Sequence, residues 1–467
     1  MMKNAAYWRL SRLLLVSLAG LVPADGRARQ RPAATTTATC KVEAVNYRGW
    51  DAQQVSNPWV KLIFVPQNGG RLIQVIFDEH PFLFVNPKYA GKYLPPSNTE
   101  WFNYGGDKLW VLPEGNDDEQ HWVGYSDVLD DSPYVFRVLS LGPECEVSLT
   151  GPADPLTGLQ FTRTVRLDAN SPRIRFHTLF ANASGHPIQW SVQSVTQYDT
   201  ADAKDPSHHN KDIWGFSVAN PASSYLNRYH VRFGPAENSA AKVGENGTFS
   251  VHYVPLAAEL WLDSKDGWLA VVDGASQYAM VERFRYDDTK PYPGKASVIF
   301  WTNGPELHQS ADGTFTFGRP GKEASPFYME AELNSPTVRL YPGESHSFDT
   351  EWFPTRGDSA FQSVKDSGVV LRPLRAVETG SRGTIEISGT FGVFFPGRLV
   401  AYFYSPGGAA MGTEPLTEAD PRKVVSLQVS SAVRGHPGRV SLHLIDPNGL
   451  DCGSLGEVVI EGSDRPQ

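Results

Sequence analysis

Five side chains with different chemistry lie close together around a Gly-Gly pair in the stretch FNYGGDKLWVLPEG: Tyr104, Asp107, Lys108, Trp110 and Glu114. Charged groups of this kind bind sugar hydroxyls, and an indole stacks on the apolar C–H face of a sugar ring. The same composition also fits a salt-bridged turn that packs a tryptophan into the core. The sequence leaves both interpretations open.

A second stretch, FYMEAELN, places Glu330 and Glu332 two residues apart. In a β-strand such residues point to the same side, so the two carboxyl groups are expected to be neighbours. One of them would then serve as a general base held beside a second carboxylate. The alternative is that both face solvent.

The elements that position these residues are predicted to be β-strands. Short β-rich runs such as WVKLIFVP, GRLIQVIFD, RIRFHTLFAN and IQWSVQSVTQYD are separated by Gly, Pro, Asn and Asp. In LQFTRTVRL, apolar side chains and Arg163 alternate with polar ones, as in a sheet with one wet face. Almost no segment sustains a helical period. The sequence therefore predicts an all-β protein built from antiparallel sheets.

The 467 residues divide into four predicted sections. Residues 1–28 are expected to be a signal peptide and 29–39 a flexible linker. Residues 40–360 are expected to form a large antiparallel β-sandwich. Residues 366–467, where RPLRAVETGSRGTIEISGTF starts a new series of strands, match a small immunoglobulin-like β-sandwich.

The predicted signal peptide has Lys3, Arg9 and Arg12 ahead of the apolar run LLLVSLAGLV. That run is about half of the ~20 residues needed to span a bilayer, so a cleaved export signal is favoured over a membrane anchor. We therefore expect a secreted or periplasmic protein with no stable membrane span after cleavage.

Composition and motifs argue against several classes of function. The net charge is −9, and no Lys/Arg run occurs outside the predicted signal, which argues against nucleic acid as a partner. No G-x-S-x-G elbow, P-loop or dinucleotide fingerprint occurs, so no cofactor is expected. The three cysteines allow one pair plus a leftover thiol, without indicating which pair, and show no zinc spacing.

The polar loop QYDTADAKDPSHHNKDIWGF follows the run VTQYD. Its acidic residues and histidines would suit either a metal ion or an additional sugar subsite, but without fixed ligand spacing a solvated loop is the more common outcome. We expect no metal, and we expect Trp214 at the rim of a sugar site.

Three segments in the same order resemble the galactose-mutarotase-like superfamily, particularly its secreted members: GGDKLW, then TGLQFTRTVRLDANSPRIRFHTLFANASGHPIQWSVQSVTQYDT, then FYMEAELNSPTVRLYPGESHSFDTEWF. The resemblance covers roughly residues 41–356. It implies a β-supersandwich that carries a carbohydrate site on its concave face.

Aldose epimerases of this superfamily use a histidine as general acid and a glutamate as general base, and a second histidine usually follows a similar Gly-Gly turn. In this chain the matching places hold Gln197 and Tyr104, and Glu330 is left as the base. Gln197 hydrogen-bonds a sugar without titrating near neutral pH. The chain thus departs from the family at the acid, and in a catalytic site we expect Tyr104, with a pKa lowered by Lys108, or Asp107 to supply the proton.

We therefore expect a carbohydrate ligand, with catalysis of epimerisation or glycoside cleavage as one outcome and a non-catalytic binding or cell-surface module as the alternative. The expected catalytic residues are Glu330, Tyr104 and Asp107. The expected substrate-binding residues are Lys108, Trp110, Glu114, Gln197, Glu332 and Trp214.

Overall fold

The computed structural model describes residues 39–96, 101–113, 127–235, 238–305, 307–309, 315–317, 326–379, 384–433 and 435–462. Nearly all regular structure in these ranges is β-strand. The only α-helix within them is the short α1 (Asp127–Asp131), and one 3-10 turn spans Pro293–Lys295. No helix in this part of the chain is long and apolar enough to cross a membrane.

Sixteen strands lie in the described residues up to position 262. They are β1 (Lys41–Tyr47), β2 (Trp50–Ser56), β3 (Val60–Val65), β4 (Arg71–Phe77), β5 (His80–Pro81), β6 (Asp107–Leu112), β7 (Val135–Ser140), β8 (Glu144–Thr150), β9 (Leu159–Asp168), β10 (Ile174–Asn182), β11 (Ile188–Asp199), β12 (Ile213–Val218), β13 (His230–Phe233), β14 (Ala241–Val243), β15 (Thr248–His252) and β16 (Ala258–Leu262).

Sixteen more follow in the second part. They are β17 (Trp268–Asp273), β18 (Tyr278–Phe284), β19 (Val298–Thr302), β20 (Leu307–Gln309), β21 (Phe315–Phe317), β22 (Tyr328–Asn334), β23 (Val338–Leu340), β24 (Ser345–Arg356), β25 (Ser363–Lys365), β26 (Gly368–Thr379), β27 (Thr384–Val393), β28 (Gly397–Tyr404), β29 (Ala410–Ala419), β30 (Val425–Ala432), β31 (Arg439–Ile445) and β32 (Asp451–Val459).

Two large antiparallel sheets dominate the structure. The twelve-stranded sheet runs β1-β2-β3-β4-β6-β11-β22-β19-β16-β13, with β5 beside β4 and β23 beside β11. The ten-stranded sheet runs β14-β15-β12-β17-β18-β24-β10-β9-β8-β7. The predicted all-β fold with a large antiparallel sandwich is confirmed.

The core lies between these two sheets and is filled by alternate side chains of their strands. In β9 the buried residues are Leu159, Phe161, Val165 and Leu167, together with Arg163, and the residues between them are partly or fully exposed. The alternation inferred from the sequence is confirmed. Fully burying side chains of this size contributes about 1.5–3 kcal/mol each, so the two sheets hold each other through many such contacts.

The face of the twelve-stranded sheet that points away from this core is called the outer face here. Because successive side chains of a strand alternate between faces, β6, β11 and β22 each present every second residue on it. Apart from Leu112 and Val195, the residues at these positions are polar or aromatic, and they include the sequence candidates Lys108, Trp110, Gln197, Glu330 and Glu332.

The C-terminal section contains two four-stranded sheets, β25-β26-β27-β30 and β29-β28-β31-β32, around a hydrophobic cluster of their own. A further cluster joins Phe361, Val369 and Phe394 to Trp268 and Phe353 of the ten-stranded sheet. The C-terminal sandwich therefore packs against the large one. That residues 366–467 are a separate domain stays a prediction.

A disulfide bond joins Cys40 to Cys145, which are 105 residues apart in the chain. It connects the start of β1 in the twelve-stranded sheet to β8 in the ten-stranded sheet. Cys452 is free and partly buried. The structure thus selects one of the pairings that the sequence left open.

Candidate functional site

The position of β6 in the twelve-stranded sheet depends on the glycine pair that precedes the strand. Gly105 and Gly106 have φ angles of 90° and 77°, a region that favours glycine. A Cβ atom at Gly105 would lie 2.2 Å from the carbonyl oxygen of Phe84, and one at Gly106 would lie 2.5 Å from that of Leu72. The missing side chains therefore let neighbouring backbone approach, which places β6 in the sheet.

Strand register brings the outer-face candidates together. Gln197 of β11 lies opposite Glu330 of β22, and Val195 lies opposite Glu332 on one side and Lys108 of β6 on the other. Opposed side chains of antiparallel strands are about 5 Å apart at their Cβ atoms. The site is therefore assembled from strands that are far apart in sequence.

Two carboxyl groups form the centre of the site. The Glu330 and Glu332 side chains lie next to each other on one face of β22, and Glu332 acts on the proton affinity of Glu330. Gln197 Nε2 donates to Glu330 Oε1 at 2.6 Å, and Gln193 Nε2 donates to Glu332 Oε2. Each carboxyl group thus has its own amide donor, with the other carboxyl group beside it.

The surroundings act on the proton affinity of this pair in opposite directions. Burial raises the pKa of Glu330, while the positive charge of Lys108 and the hydrogen bonds from Gln197 and Glu332 lower it. Two adjacent carboxylates resist ionising together, so they titrate as a pair. The arrangement suits a pair that holds one proton, with Glu330 as its ionised member.

Lys108 is a fixed cation beside the pair. Its ammonium nitrogen lies 3.8 Å from the ring centroid of Trp110 and 4.7 Å from that of Trp101. It also lies 3.5 Å from Asp130 Oδ2, and Arg71 Nη2 binds the other oxygen of that carboxylate at 2.5 Å. Only 6% of the Lys108 side chain is exposed. Cation–π and ionic contacts therefore hold the charge in place.

Aromatic rings lie on the other side of the carboxyl pair. Trp301 of β19 is opposite Glu330 in the register, is partly exposed, and its ring centroid lies 5.6 Å from that of Phe233, which is 41% exposed. Tyr328, one outer-face position before Glu330, stacks on Phe84 at 5.0 Å. Accessible rings beside polar groups are the surfaces on which sugar C–H faces pack.

Asp107 is placed differently from the expectation. It is fully buried on the core side of the sheet and forms an ion pair with Arg163 of β9. Ser194 and Thr196 hydroxyls donate to its other oxygen at 3.1 and 3.2 Å. Because Asp107 and Lys108 are consecutive in β6, they point to opposite faces, and Asp107 does not share the outer face with Glu330.

Tyr104 is also placed differently. It is fully buried in a hydrophobic cluster with Trp50 and Phe102, and its hydroxyl accepts a hydrogen bond from the Leu94 N–H at 3.1 Å. Burial raises its pKa, whereas the sequence hypothesis required a lowered pKa. Tyr104 is a packing residue in this structure, and no proton transfer is assigned to it.

Trp214 and Glu114 complete the set of sequence candidates. Trp214 lies in β12 of the ten-stranded sheet, where its indole N–H donates to Asp212 Oδ1 at 2.8 Å and its ring packs on His252 at 4.4 Å. This corrects its expected place at the rim of the site, which belongs to the other sheet. Glu114 lies outside the described residues.

The structure adds site residues that the sequence analysis missed, namely Gln193, Trp101, Asp130 and Trp301. Gln193 had a usable signal, since it shares strand parity with Gln197 in IQWSVQSVTQYD. Asp130 had none, because α1 reaches Lys108 only through tertiary packing. In the part of the chain that the structure describes, no group of three or more His, Cys, Asp or Glu side chains converges to hold a metal ion.

Comparison with protein-family models and with curated proteins finds no match. Solved structures give matches with low similarity. A putative mutarotase from Salmonella typhimurium matches with a TM-score of 0.43 and 12% identity, over 68% of this chain and 94% of that one. A galactose mutarotase-like protein from Clostridium acetobutylicum matches with a TM-score of 0.41 and 10% identity, over 68% and 98%.

A TPR-domain containing protein from Parabacteroides distasonis matches with a TM-score of 0.43 and 14% identity over 66% of this chain. The match spans only 47% of that longer protein. The galactose mutarotase-like proteins among these structures are of the kind that the sequence resemblance named. With TM-scores below 0.5, none of them carries an argument about activity, so the function is inferred from the site itself.

Proposed function

We propose that the outer face binds a carbohydrate and that the Glu330–Glu332 pair catalyses the opening and closing of its pyranose ring. The observation that carries this proposal is the placement of the two carboxyl groups on one face of β22, each held by a glutamine amide, beside the fixed charge of Lys108. A pair that holds one proton contains a base and an acid at the same place. Ring opening needs both, because one proton leaves the anomeric hydroxyl as another reaches the ring oxygen.

The step balances within the pair. Ionised Glu330 takes the proton of the anomeric hydroxyl, and protonated Glu332 gives its proton to the ring oxygen. The bond between the anomeric carbon and the ring oxygen breaks, and an open-chain aldehyde forms. Closure on the other face of the carbonyl reverses both transfers and yields the other anomer. The positive charge of Lys108 and the amide of Gln197 favour Glu330 as the base.

Binding is proposed to use the groups around the pair. Lys108 and Gln197 would interact with ring hydroxyls, and Trp301 would pack on the apolar side of the sugar. Trp110 supports this arrangement by holding the Lys108 ammonium over its ring. Each role follows from a side chain whose orientation is already fixed by a neighbour in the free protein, which lowers the cost of ordering on binding.

The experiment is anomer exchange measured by NMR of the anomeric protons, with the full chain and a panel of aldoses. We expect wild-type protein to accelerate the exchange, and Glu330→Gln and Glu332→Gln each to reduce the acceleration by about 10²-fold or more, the usual contribution of an acid or base. Glu418→Gln, on an exposed side chain of the C-terminal sandwich, is the matched control and should leave the rate unchanged.

Circular dichroism establishes that each variant is folded. Sugar binding without acceleration of exchange by the wild-type protein would refute the catalytic part and leave a carbohydrate-binding module, which is the alternative function. If the exchange rate is unchanged in both glutamine variants, the carboxyl pair does not catalyse the reaction.

We also propose that the protein is exported to an oxidising compartment, outside the cell or in the periplasm. The support is the Cys40–Cys145 disulfide, since such bonds persist mainly in oxidising environments, together with the predicted signal peptide. Mass spectrometry of the mature protein tests this. We expect the mature protein to begin near residue 29 and to contain an oxidised Cys40–Cys145 pair. A protein that retains residues 1–28 and has reduced thiols would contradict the proposed export.

A further inference from the structure

A groove of about 760 Å³ lies on the outer face near its β13 edge. Its lining includes Gln189, Tyr225, His230, Arg232, Trp261 and Thr337. The volume falls in the range of ordinary ligand sites, about 300–1,000 Å³. The groove shares no residue with the carboxyl pair and its amide donors. The function proposed for that pair therefore assigns no role to the groove.

Strand register connects the groove to the carboxyl pair. Glu332 of β22 lies opposite Ile299 of β19, Ile299 lies opposite Trp261 of β16, and Trp261 lies opposite His230 of β13. Neighbouring strands are about 4.8 Å apart, so the backbone at Trp261 is about 10 Å from that at Glu332, and the backbone at His230 about 14 Å. A single sugar ring bound at the carboxyl pair does not reach the groove, but the next units of a chain would.

The lining has the chemistry of a sugar subsite. Tyr225 is partly exposed and stacks on exposed His230, with ring centroids 5.6 Å apart. The Tyr225 hydroxyl donates to the Gly294 carbonyl at 2.5 Å, which fixes the orientation of the ring. Aromatic faces with hydrogen-bonding groups at their edges suit the alternating apolar and hydroxylated surfaces of a sugar.

Polar side chains complete this wall. Gln189 is exposed, and Arg232 lies with its guanidinium carbon 5.7 Å from the Trp261 ring centroid. Trp261 is held by a neighbour on the same face of β16, since its indole N–H donates to Glu259 Oε1 at 2.5 Å. The groove therefore has fixed walls before any ligand arrives.

We propose that this groove binds the further units of an oligosaccharide whose reducing-end ring lies at the Glu330–Glu332 pair. This inference rests on the proposed function and specifies its substrate class, which is a chain of sugars rather than a free monosaccharide. The reducing-end ring is the unit that has an anomeric hydroxyl, so the two sites act on one molecule: the pair exchanges the anomers and the groove holds the rest.

The test compares matched sugars of one to four units by isothermal titration calorimetry and by anomer exchange, with the full chain. For wild-type protein we expect affinity to rise at least tenfold from the single sugar to the longer members of one series. The double variant Tyr225→Ala/His230→Ala should lose that rise and keep the affinity and exchange rate of the single sugar. His177→Ala, a half-exposed histidine in β10 of the other sheet, is the matched control and should behave as wild type.

The outcomes separate the two proposals. Single-sugar binding with an affinity that does not increase with chain length, or an increase that the double variant retains, overturns the groove assignment and leaves the proposed function standing. If the wild-type protein neither binds any of the sugars nor exchanges their anomers, both the groove assignment and the proposed function are refuted. The single variant His230→Ala, on an exposed side chain, supplies the same comparison if the double variant fails to fold.

Discussion

Glu330 and Glu332 are two residues apart in one strand, and their carboxyl groups lie side by side on the outer face of the twelve-stranded sheet. Adjacent carboxyl groups resist ionising together, and burial also raises the pKa of Glu330, so the pair as a whole is favoured to keep one proton. Gln193 and Gln197 hold the pair from β11, each through its amide nitrogen. A non-titrating glutamine is therefore useful here, because it orients a carboxyl group without competing for its proton.

The first prediction concerns Lys108 and the pH profile of anomer exchange. The active pair carries one proton, so activity falls when both carboxyl groups are protonated and when both are ionised. Lys108 favours the ionised forms and lowers the pKa of Glu330. Lys108→Met should therefore move the optimum to higher pH, by about one pH unit.

The position of a pH optimum does not depend on how much of the sample is folded as long as that fraction is constant with pH, which circular dichroism across the same pH range checks for this buried residue. Lys61→Met, which removes a half-exposed lysine paired with Glu79, should leave the profile in place. An unchanged optimum for Lys108→Met would mean that this charge does not act on the pair.

The second prediction separates Asp107 from the chemistry. Asp107→Asn leaves Arg163 buried without its charged partner and should lower the free energy of unfolding by about 3–5 kcal/mol. The exchange rate per folded molecule should change little, because Asp107 lies on the core side of the sheet. Urea unfolding and NMR exchange measure the two quantities separately.

An exposed ion pair supplies the control for Asp107. Glu418→Gln removes a partner of Arg398 and should cost no more than about 1 kcal/mol. A variant Asp107→Asn that keeps its stability and loses exchange would reinstate Asp107 as the catalytic acid that the sequence suggested.

The third prediction concerns the disulfide. Replacing both Cys40 and Cys145 with alanine reopens a loop of 105 residues and should lower the free energy of unfolding by about 2–5 kcal/mol. Cys452→Ser removes the free thiol and should have a much smaller effect. Urea unfolding under non-reducing conditions checks both. Equal losses for the two variants would contradict the pairing of Cys40 with Cys145.

Much of the fold followed from local pattern. The two-residue period of LQFTRTVRL predicts which side chains of β9 are buried, because a strand cannot change the face of one residue without changing all the others. The same period placed Glu330 and Glu332 on one side of β22. These inferences needed no information about partner strands.

The errors share a physical cause. Treating GGDKLW as a turn grouped Asp107 with Lys108, whereas β6 begins at Asp107 and sends the two side chains to opposite faces. Trp214 follows a site strand in sequence but belongs to the other sheet. Which sheet a strand joins depends on long-range pairing. The same holds for the contact of Asp130 with Lys108 and for the choice among three possible disulfides.

The last prediction uses a second buried carboxyl group, Glu282 of β18, which faces the core between the two large sheets. Tyr198 donates to it at 2.6 Å, and Asp107 lies near enough to act on its proton affinity. Burial raises the Glu282 pKa to about 8. A neutral Glu282 leaves Asp107 and Arg163 as a balanced ion pair, so these three core side chains together carry no net charge.

The sign of the pH dependence follows from this pKa. Between pH 4.5, the usual value, and about 8, the folded protein keeps a proton on Glu282 that the unfolded chain has lost. The contribution of Glu282 to stability is therefore greatest below pH 4.5 and decreases by about 1.4 kcal/mol for each pH unit up to the folded pKa. Glu282→Gln has no proton to lose and keeps an acceptor for the Tyr198 hydroxyl. Its free energy of unfolding relative to wild type should increase by about 4 kcal/mol from pH 5 to pH 8 in urea titrations.

Glu43→Gln, at an exposed position of β1, is the control and should show the same difference from wild type at both pH values. Parallel pH curves for Glu282→Gln and wild type would mean that Glu282 is ionised in the folded protein, leaving a second buried negative charge beside Asp107.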